Sequence, residues 1–265
     1  MELIKETKKH YNIPKQIEVF QSYYNLNEPI FRFINENQDD SYLSYKNIFL
    51  LNNLKGLEDP RPFILNNKRY ILTQKWNGCF ENIKMYIINV DTNEYKEYIV
   101  NEPNFFYGKN WVPFVYNNEL YIIYGFDPFI ILKDGNVIVK INTNLEKQNG
   151  VNFCQYRGGT NGIQIDDNII IGFGHRTINS TTHIPFLWKL DIKNRRLIIN
   201  NINYNNYFNI IDPTSLWIEN NNYYLSICES SNRWEYNNLD IYSRIFKIDI
   251  SKLNQLTIDN KEFAF

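Results

Sequence analysis

Residues 58–75 read EDPRPFILNNKRYILTQK, and residues 109–126 read KNWVPFVYNNELYIIYGF. Both stretches run from apolar residues through a pair of asparagines into a second run rich in aromatic and β-branched side chains. Two more follow the same plan: RGGTNGIQIDDNIIIGFGH at 157–175 and IDPTSLWIENNNYYLSICE at 211–229. Aligned on Phe63, Phe114, Ile163 and Leu216, the four are spaced by 51, 49 and 53 residues. Three residues beyond each anchor stands a turn pair: Asn66-Asn67, Asn117-Asn118, Asp166-Asp167 and Glu219-Asn220. Asn and Asp tolerate the positive φ that a two-residue hairpin turn demands. Each stretch is therefore predicted to be a β-hairpin, with roughly 30 residues left between hairpins for further strands.

Units of about 50 residues that each begin with a hairpin are the signature of propeller blades. A fifth unit is expected upstream in NEPIFRFINENQDDSYLSYK, although only 33 residues separate Ile30 from Phe63. Its missing strands are expected from the C-terminal part of the chain, for example YSRIFKIDI at 242–250. The reading is an all-β, five-bladed β-propeller formed by residues 1–265 as a single domain. A long β-sandwich is the alternative, and the regular spacing speaks against it. No glycine- or proline-rich linker divides the chain.

Composition agrees with a folded core and narrows the function. Of 265 residues, 43% are hydrophobic and 16% aromatic, which excludes a disordered chain. Net charge is −1 and no segment concentrates Lys or Arg, so a nucleic-acid partner lacks its electrostatic footprint. The first fifteen residues hold no apolar signal core, and no run approaches the roughly 18 apolar residues of a membrane span. A cytoplasmic protein without membrane insertion is expected. Cys79, Cys154 and Cys228 are odd in number and far apart, as suits free thiols in a reducing compartment.

The repeat also serves as a coordinate system. Four residues before the anchors stand Asp59, Asn110, Gly159 and Asp212. Blades are related by rotation, so this column should ring one end of the central channel. About twelve residues after the anchors the second strand returns to that end with Lys75, Phe126, His175 and, allowing one inserted residue, Glu229. Arg61, Lys109, Arg157 and Arg176 lie within a few positions of the two rings. Pro60 should hold Asp59 extended, so that Asp59 and Arg61 share one face of the strand and Glu58 takes the other. A carboxylate and a guanidinium aimed together into a pocket can grip a polyol and move protons on it. The competing reading is an ion pair on a surface loop. Convergence of other blades on the same ring favours function.

With those positions in hand, GLEDPR at Gly56–Arg61 resembles the Glu-Asp-Pro-Arg motif of the mannoside phosphorylases of glycoside hydrolase family 130. It is similar as well to the related β-1,2-mannosyltransferases, which share a five-bladed propeller. KNWVPF, RGGT and GFGH fall where that superfamily carries a lysine, a glycine-rich inner strand and a histidine. The resemblance implies that Asp59 is the catalytic acid, relaying a proton through a hydroxyl of bound mannose. It implies further that Arg61, Lys109, Arg157 and His175 grip phosphate or sugar.

Other residues carry two readings each. Glu58 orients neighbours or a sugar hydroxyl. Gly158 and Gly159 offer backbone N–H groups to a phosphate, or simply allow close packing around a narrow channel. His183, in NSTTH, reads as a solvated loop residue. Trp76, Trp111, Trp188, Trp217 and Trp234 are core or sugar-stacking residues, and Trp111, beside Asn110, is best placed to stack. No histidine-rich cluster, closely spaced cysteines or nucleophile motif appears, so neither a metal nor another cofactor is expected. Three functions remain open. The first is glycosyl transfer or phosphorolysis of a mannose-like sugar, with phosphate or a nucleotide sugar as partner. The second is hydrolysis, with Asp212, Glu229 or Asp127 as a second carboxylate about 6.5–9.5 Å from the first if inverting. The third is a non-catalytic sugar-binding propeller. The expected substrate-binding set is Glu58, Arg61, Asn110, Trp111, Asp212 and Glu229.

Overall fold

Asn66 and Asn67 both adopt positive φ (51° and 59°), as do Asn117 and Asn118 (50° and 60°) and Asn220 and Asn221 (51° and 60°). Positive φ at both central residues defines the tight turn whose twist matches paired strands. Two turn positions differ from the sequence reading. The last turn lies one residue onward, at Asn220-Asn221 rather than Glu219-Asn220, and a bulge between Pro213 and Ser215 takes up the extra residue on the way to Asp212. The third turn lies at Asp167-Asn168, where the Asp166 carboxylate accepts the backbone N–H groups of Asn168 and Ile169.

The computed structural model describes residues 1–11, 16–35, 41–51, 54–75, 83–102, 105, 108–146, 155–179, 182–204, 210–230 and 239–265. Its strands form five small antiparallel sheets arranged as the blades of a propeller. The first holds β2 (Gln16–Tyr23), β3 (Pro29–Asn35), β4 (Ser41–Tyr45) and β5 (Ile48–Leu50). The second holds β6 (Leu57–Leu65), β7 (Lys68–Lys75), β8 (Lys84–Asn89) and β9 (Tyr95–Tyr98). The third holds β10 (Val112–Tyr116), β11 (Glu119–Phe126), β12 (Phe129–Lys133) and β13 (Asn136–Ile141). In the fourth the inner strand is interrupted: β14 (Tyr156–Gly158) and β15 (Ile163–Asp166) both pair with β16 (Ile169–Asn179). Outside β16 follow β17 (Thr182–Asp191), β18 (Arg196–Ile202) and β22 (Thr257–Ala264). The fifth holds β19 (Ile210–Glu219), β20 (Asn222–Ser230) and β21 (Leu239–Ile248), with β1 (Glu2–Tyr11) along its outer edge.

All four anchors lie on innermost strands, as the spacing requires. The upstream unit differs from expectation. Ile30 sits on β3, the second strand of its blade, because the inner strand β2 is QIEVFQSY at 16–23. The first blade is thus complete without borrowed strands, and the short interval to Phe63 came from aligning unlike strands. YSRIFKIDI belongs to β21 of the last blade. Ring closure comes from β1, whose residues pair with β21 from Glu2↔Lys247 to Tyr11↔Leu239.

Apolar side chains fill the gaps between consecutive sheets. Ile30, Leu43, Ile71 and Ile88 join the first blade to the second, and Phe63, Leu72, Ile122 and Leu132 the second to the third. Phe114, Ile131, Phe186 and Trp188 join the third to the fourth, and Phe173, Leu187, Leu216 and Leu225 the fourth to the fifth. The seam between the fifth blade and the first is different. Its buried apolar cluster is Tyr23, Trp217 and Ile245, with the first two rings stacked at 5.6 Å. Beside it lie buried Gln21, Ser22, Thr214, Ser215, Ser226 and Ser243. Hydrogen bonds cross this seam from Tyr23 N–H to Ser215 Oγ at 2.8 Å and from Ser226 Oγ to the Gln21 carbonyl at 3.3 Å. A third runs from Leu26 N–H to the Glu219 carboxylate at 3.1 Å.

Beyond the apolar contacts of the described residues, β1 ties the last strand of the fifth blade directly to the chain that enters the first. Removing residues 1–11 is expected to lower the melting temperature by at least about 5 °C and to soften the transition, measured by calorimetry. An unchanged melt would mean that the fifth sheet closes without β1. Glu28 supplies a second test, at the junction of the first two blades. Its carboxylate takes Arg69, Lys46 (2.9 Å) and the Tyr45 hydroxyl (3.0 Å). Burial pushes Glu28 up, but these donors outweigh it and bring its pKa down to about 2. A depressed carboxylate stabilises above its unfolded pKa and loses that contribution as pH falls through the folded value. Glu28→Gln should therefore be less stable than the parent at pH 7, with the gap closing between about pH 4.5 and pH 2 in denaturant titrations.

Candidate functional site

Pro60 cannot donate to the sheet ladder, and β6 bulges between Glu58 and Arg61 against β7. Asp59 inside the bulge has φ of 50°, in the left-handed region. This overturns the extended geometry read from the sequence. Strict alternation fails, and the adjacent carboxylates of Glu58 and Asp59 meet the same guanidinium. Arg32 on β3 donates from Nη2 to Glu58 Oε1 at 2.6 Å and from Nη1 to Asp59 Oδ1 at 2.8 Å. Gln74 Nε2 lies 3.3 Å from Glu58 Oε2 and 3.4 Å from Asp59 Oδ2. Lys109 completes the surroundings of Glu58, with Nζ 3.0 Å from Oε2. Burial would raise the Glu58 pKa, yet the charges of Arg32 and Lys109 prevail and hold it below the usual carboxylate range.

Arg61 lies deeper, 3% exposed, with its guanidinium over the Phe20 ring at 5.5 Å. It reaches the Asp59 carbonyl at 3.4 Å and Asn110 Oδ1 at 3.3 Å, while its Nε has no hydrogen-bond partner among the described residues. Desolvation pulls its pKa down, opposed by the charges of Asp59 and Asp212. Asn110 repeats the backbone of Asp59 one blade on, with φ of 66°, and its N–H donates to Gln74 Oε1 at 3.1 Å. Gly158 and Gly159 continue the ring by close approach. A Cβ on Gly158 would stand 2.1 Å from the Asn110 carbonyl oxygen, and one on Gly159 2.9 Å from that of Pro213. These glycines are therefore needed for packing between inner strands.

Asp212 closes the circle. Its Oδ1 lies 2.6 Å from His183 Nδ1 and 3.5 Å from His175 Nδ1, and the two imidazoles stack at 4.6 Å with planes 15° apart. Arg157 stands directly across from His175 on β14, within reach of the same face.

The ring of Asp59, Asn110, Gly159 and Asp212 is thus assembled, with Glu58, Arg61, Lys109 and His175 beside it. Other candidates are elsewhere. Trp111 is 1% exposed and packs edge-on against Tyr98, Phe105 and Tyr124 between blades, so it cannot stack on a ligand. Glu229 is also 1% exposed, held by Tyr204 at 2.6 Å and Arg244 at 2.5 Å. It pairs with Ile211 and Tyr242, one residue out of phase with the Asp212↔Cys228 pair, and so takes the opposite face. Asp127 binds Thr143 and the Asn144 N–H, a loop-holding role. Phe126 is core. His183 is a buried residue of β17 rather than a solvated one. Trp188, Trp217 and Cys228 are buried. Trp76, Trp234, Cys79 and Cys154 fall outside the described residues.

Arg32 and Gln74 escaped the sequence reading for separate reasons. Arg32 sits on a strand that the repeat misassigned. Gln74 precedes Lys75, the residue at the aligned position, and the β6 bulge sets it opposite Glu58. At the other end of the channel a cavity of about 280 Å³ is lined by Tyr23, Phe63, Val115, Ile163 and Trp217 among others, without a charged side chain. The titratable groups gather away from it.

No protein-family model matches the sequence, and no curated protein matches it. Among solved structures, the chain is similar to an alpha-L-arabinofuranosidase from Lactobacillus brevis. The TM-score is 0.53 at 10% identity, over 87% of this chain and 90% of that one. The likeness shows a shared propeller fold. A superposition on the MucA/MucB complex of Pseudomonas aeruginosa has a TM-score of only 0.15 and carries no argument. Among the described residues, no helix is long and apolar enough to cross a membrane.

Replacing Arg32 with Met should strand two carboxylates that it now neutralises. The expected loss of stability lies towards the lower end of the about 3–5 kcal/mol typical of a broken buried pair, since Lys109 remains. Glu58 should then titrate higher, so the stability it contributes above its unfolded pKa should vanish at a higher pH on acidification. Parallel denaturation series of parent and variant from pH 7 to pH 3 would read both effects.

Proposed function

We propose that this protein is a carbohydrate-active enzyme that transfers a glycosyl group in the axial pocket, with Asp59 as its catalytic acid. The observation that carries the reading is the double carboxylate on the Asp59 bulge, set against Arg32, Arg61 and Lys109. Glu58 is held ionised by Arg32 and Lys109, so it is suited to bind and orient rather than to give up a proton. Asp59, more exposed than Glu58 (19% against 13% of the side chain), is the carboxyl that a substrate would meet. Buried Arg61, whose Nε has no hydrogen-bond partner among the described residues, suits a ligand oxygen. The resemblance of GLEDPR to the mannoside phosphorylases supports a mannose-like sugar, with phosphate or a nucleotide sugar as second substrate. Arg61, Lys109, Arg157 and His175 are the groups for that anion.

A second reading is hydrolysis, favoured by Asp212, which faces the same channel from the fifth blade, and by the fold shared with an arabinofuranosidase. The two readings part on the acceptor. The protein would be incubated with mannobioses and phosphate, with GDP-mannose and sugar acceptors, and with aryl arabinofuranosides in water alone, products being read by mass spectrometry. Phosphate- or nucleotide-dependent product supports transfer, and release of sugar in water alone supports hydrolysis. Asp59→Asn keeps size and hydrogen-bonding capacity but removes the ionisable proton. It is expected to reduce turnover by about 10²–10⁴ with the melting curve preserved. Near-parental turnover would move the role to another carboxyl group.

A further inference from the structure

We propose that His175, His183 and Asp212 form a binding site for one divalent transition-metal ion of the zinc class at the axial end of the fourth and fifth blades. The donor atoms come from three strands: β16, β17 and β19. They are two imidazole nitrogens and a carboxylate oxygen, all within 4.8 Å of one another. Zinc bonds of about 2.05 Å at tetrahedral angles place neighbouring donors about 3.3 Å apart. The observed separations of 2.6 and 3.5 Å from Asp212 Oδ1 bracket that value. The widest pair needs to close by no more than about 1.5 Å.

In the structure the two rings stack with planes 15° apart, so binding requires one imidazole to turn until both nitrogens point at the ion. Both rings are almost wholly buried, with 6% and 0% of the side chain exposed, and Asp212 retains 22%. Three protein ligands, one of them partly exposed, match the ligand count of metal centres that keep a fourth position for water or substrate. Two nitrogens and one oxygen suit zinc, cobalt, nickel or iron better than calcium or magnesium, which take six or more oxygens or near-octahedral water. Arg61 feels the charge of Asp212, so the combined positive charge favours an anionic fourth ligand such as hydroxide, phosphate or a carboxylate. The sequence shows no metal motif because His175 and His183 straddle a hairpin and Asp212 comes from the next blade.

This inference does not depend on Asp59 or on glycosyl transfer, and its test reads binding. Full-length protein stripped with a chelator is titrated with Zn²⁺, Co²⁺ and Mg²⁺, with bound metal measured by equilibrium dialysis and elemental analysis. One equivalent of Zn²⁺ or Co²⁺ is expected, with a raised melting temperature and no response to Mg²⁺. Co²⁺ should give visible ligand-field bands without the near-ultraviolet charge-transfer band of a thiolate. His175→Gln and His183→Gln should each weaken Zn²⁺ by more than the about 10–100-fold seen on losing a mere outer-shell partner. His10→Gln and Asp59→Asn should bind as the parent does. If His183→Gln fails to fold, His175→Gln and the cobalt spectrum of the parent still decide. Absence of binding, undiminished binding in His175→Gln, or a thiolate band that points to Cys79, Cys154 or Cys228 would each overturn the site.

Discussion

Closure of the ring is the constraint on which everything else in this molecule rests. Four inter-blade gaps are filled by aliphatic and aromatic side chains, whose burial drives packing at roughly 25 cal/mol per Å² removed from water. In the fifth gap, between the last blade and the first, the described residues form a smaller apolar cluster and a file of buried serines and threonines. Hydrogen bonds contribute less net stability there than apolar contact would, and they are exacting in geometry. Pairing of β1 with β21 lends the seam the strength of a continuous sheet. The axial site depends on it, because Arg61 from the second blade lies over Phe20 of the first and close to the charge of Asp212 of the fifth.

The site shows how a narrow channel tolerates so much charge. Arg32, Arg61 and Lys109 stand against Glu58, Asp59 and Asp212, so opposite signs interleave around the axis. Buried charges of this kind are costly unless paired, and the Asp59 bulge allows the pairing. By breaking alternation it turns two neighbouring carboxylates towards one guanidinium. Asn110 repeats the same backbone without the charge, and its amide oxygen takes Arg61 instead. One conformational device, left-handed backbone four residues before the anchor, is thus used twice with different chemistry.

Much of the architecture was legible because hairpin turns leave local marks. Asn-Asn pairs announce positive φ, and a spacing near 50 residues announces blades. The first blade was misread because its β2–β3 connection is a five-residue loop, Tyr24–Glu28, with no such mark. The missed strand hid Arg32 as well. Assembly of the ring was legible from the common offset, but facing was not, since a bulge or a one-residue insertion reverses it. That is why Asp59 and Asp212 face the channel while Glu229, displaced by one residue, turns into its blade. Trp111 shows a related limit: adjacency to a ring position says nothing about which side of the strand a side chain takes. The polar run NSTTH reads as a loop, whereas β17 begins within it and carries His183 into the interior. Its partner Asp212 is 29 residues away, beyond the reach of any local pattern.

The strand that closes the ring also imposes an order on biosynthesis. Residues 2–11 leave the ribosome well over 200 residues before their partners on β21. Blades two and three can form from contiguous chain as soon as it emerges, whereas β1 must wait, exposed as an unpaired edge, until β21 has been made. At about 5–20 residues per second that wait lasts on the order of 10–50 s. The many charged residues of β1, Glu2, Lys5, Glu6, Lys8 and Lys9, are the kind that keep an unpaired edge from joining the wrong sheet. In the finished protein they make an exposed outer strand, and in the nascent one they act as its own protection against aggregation.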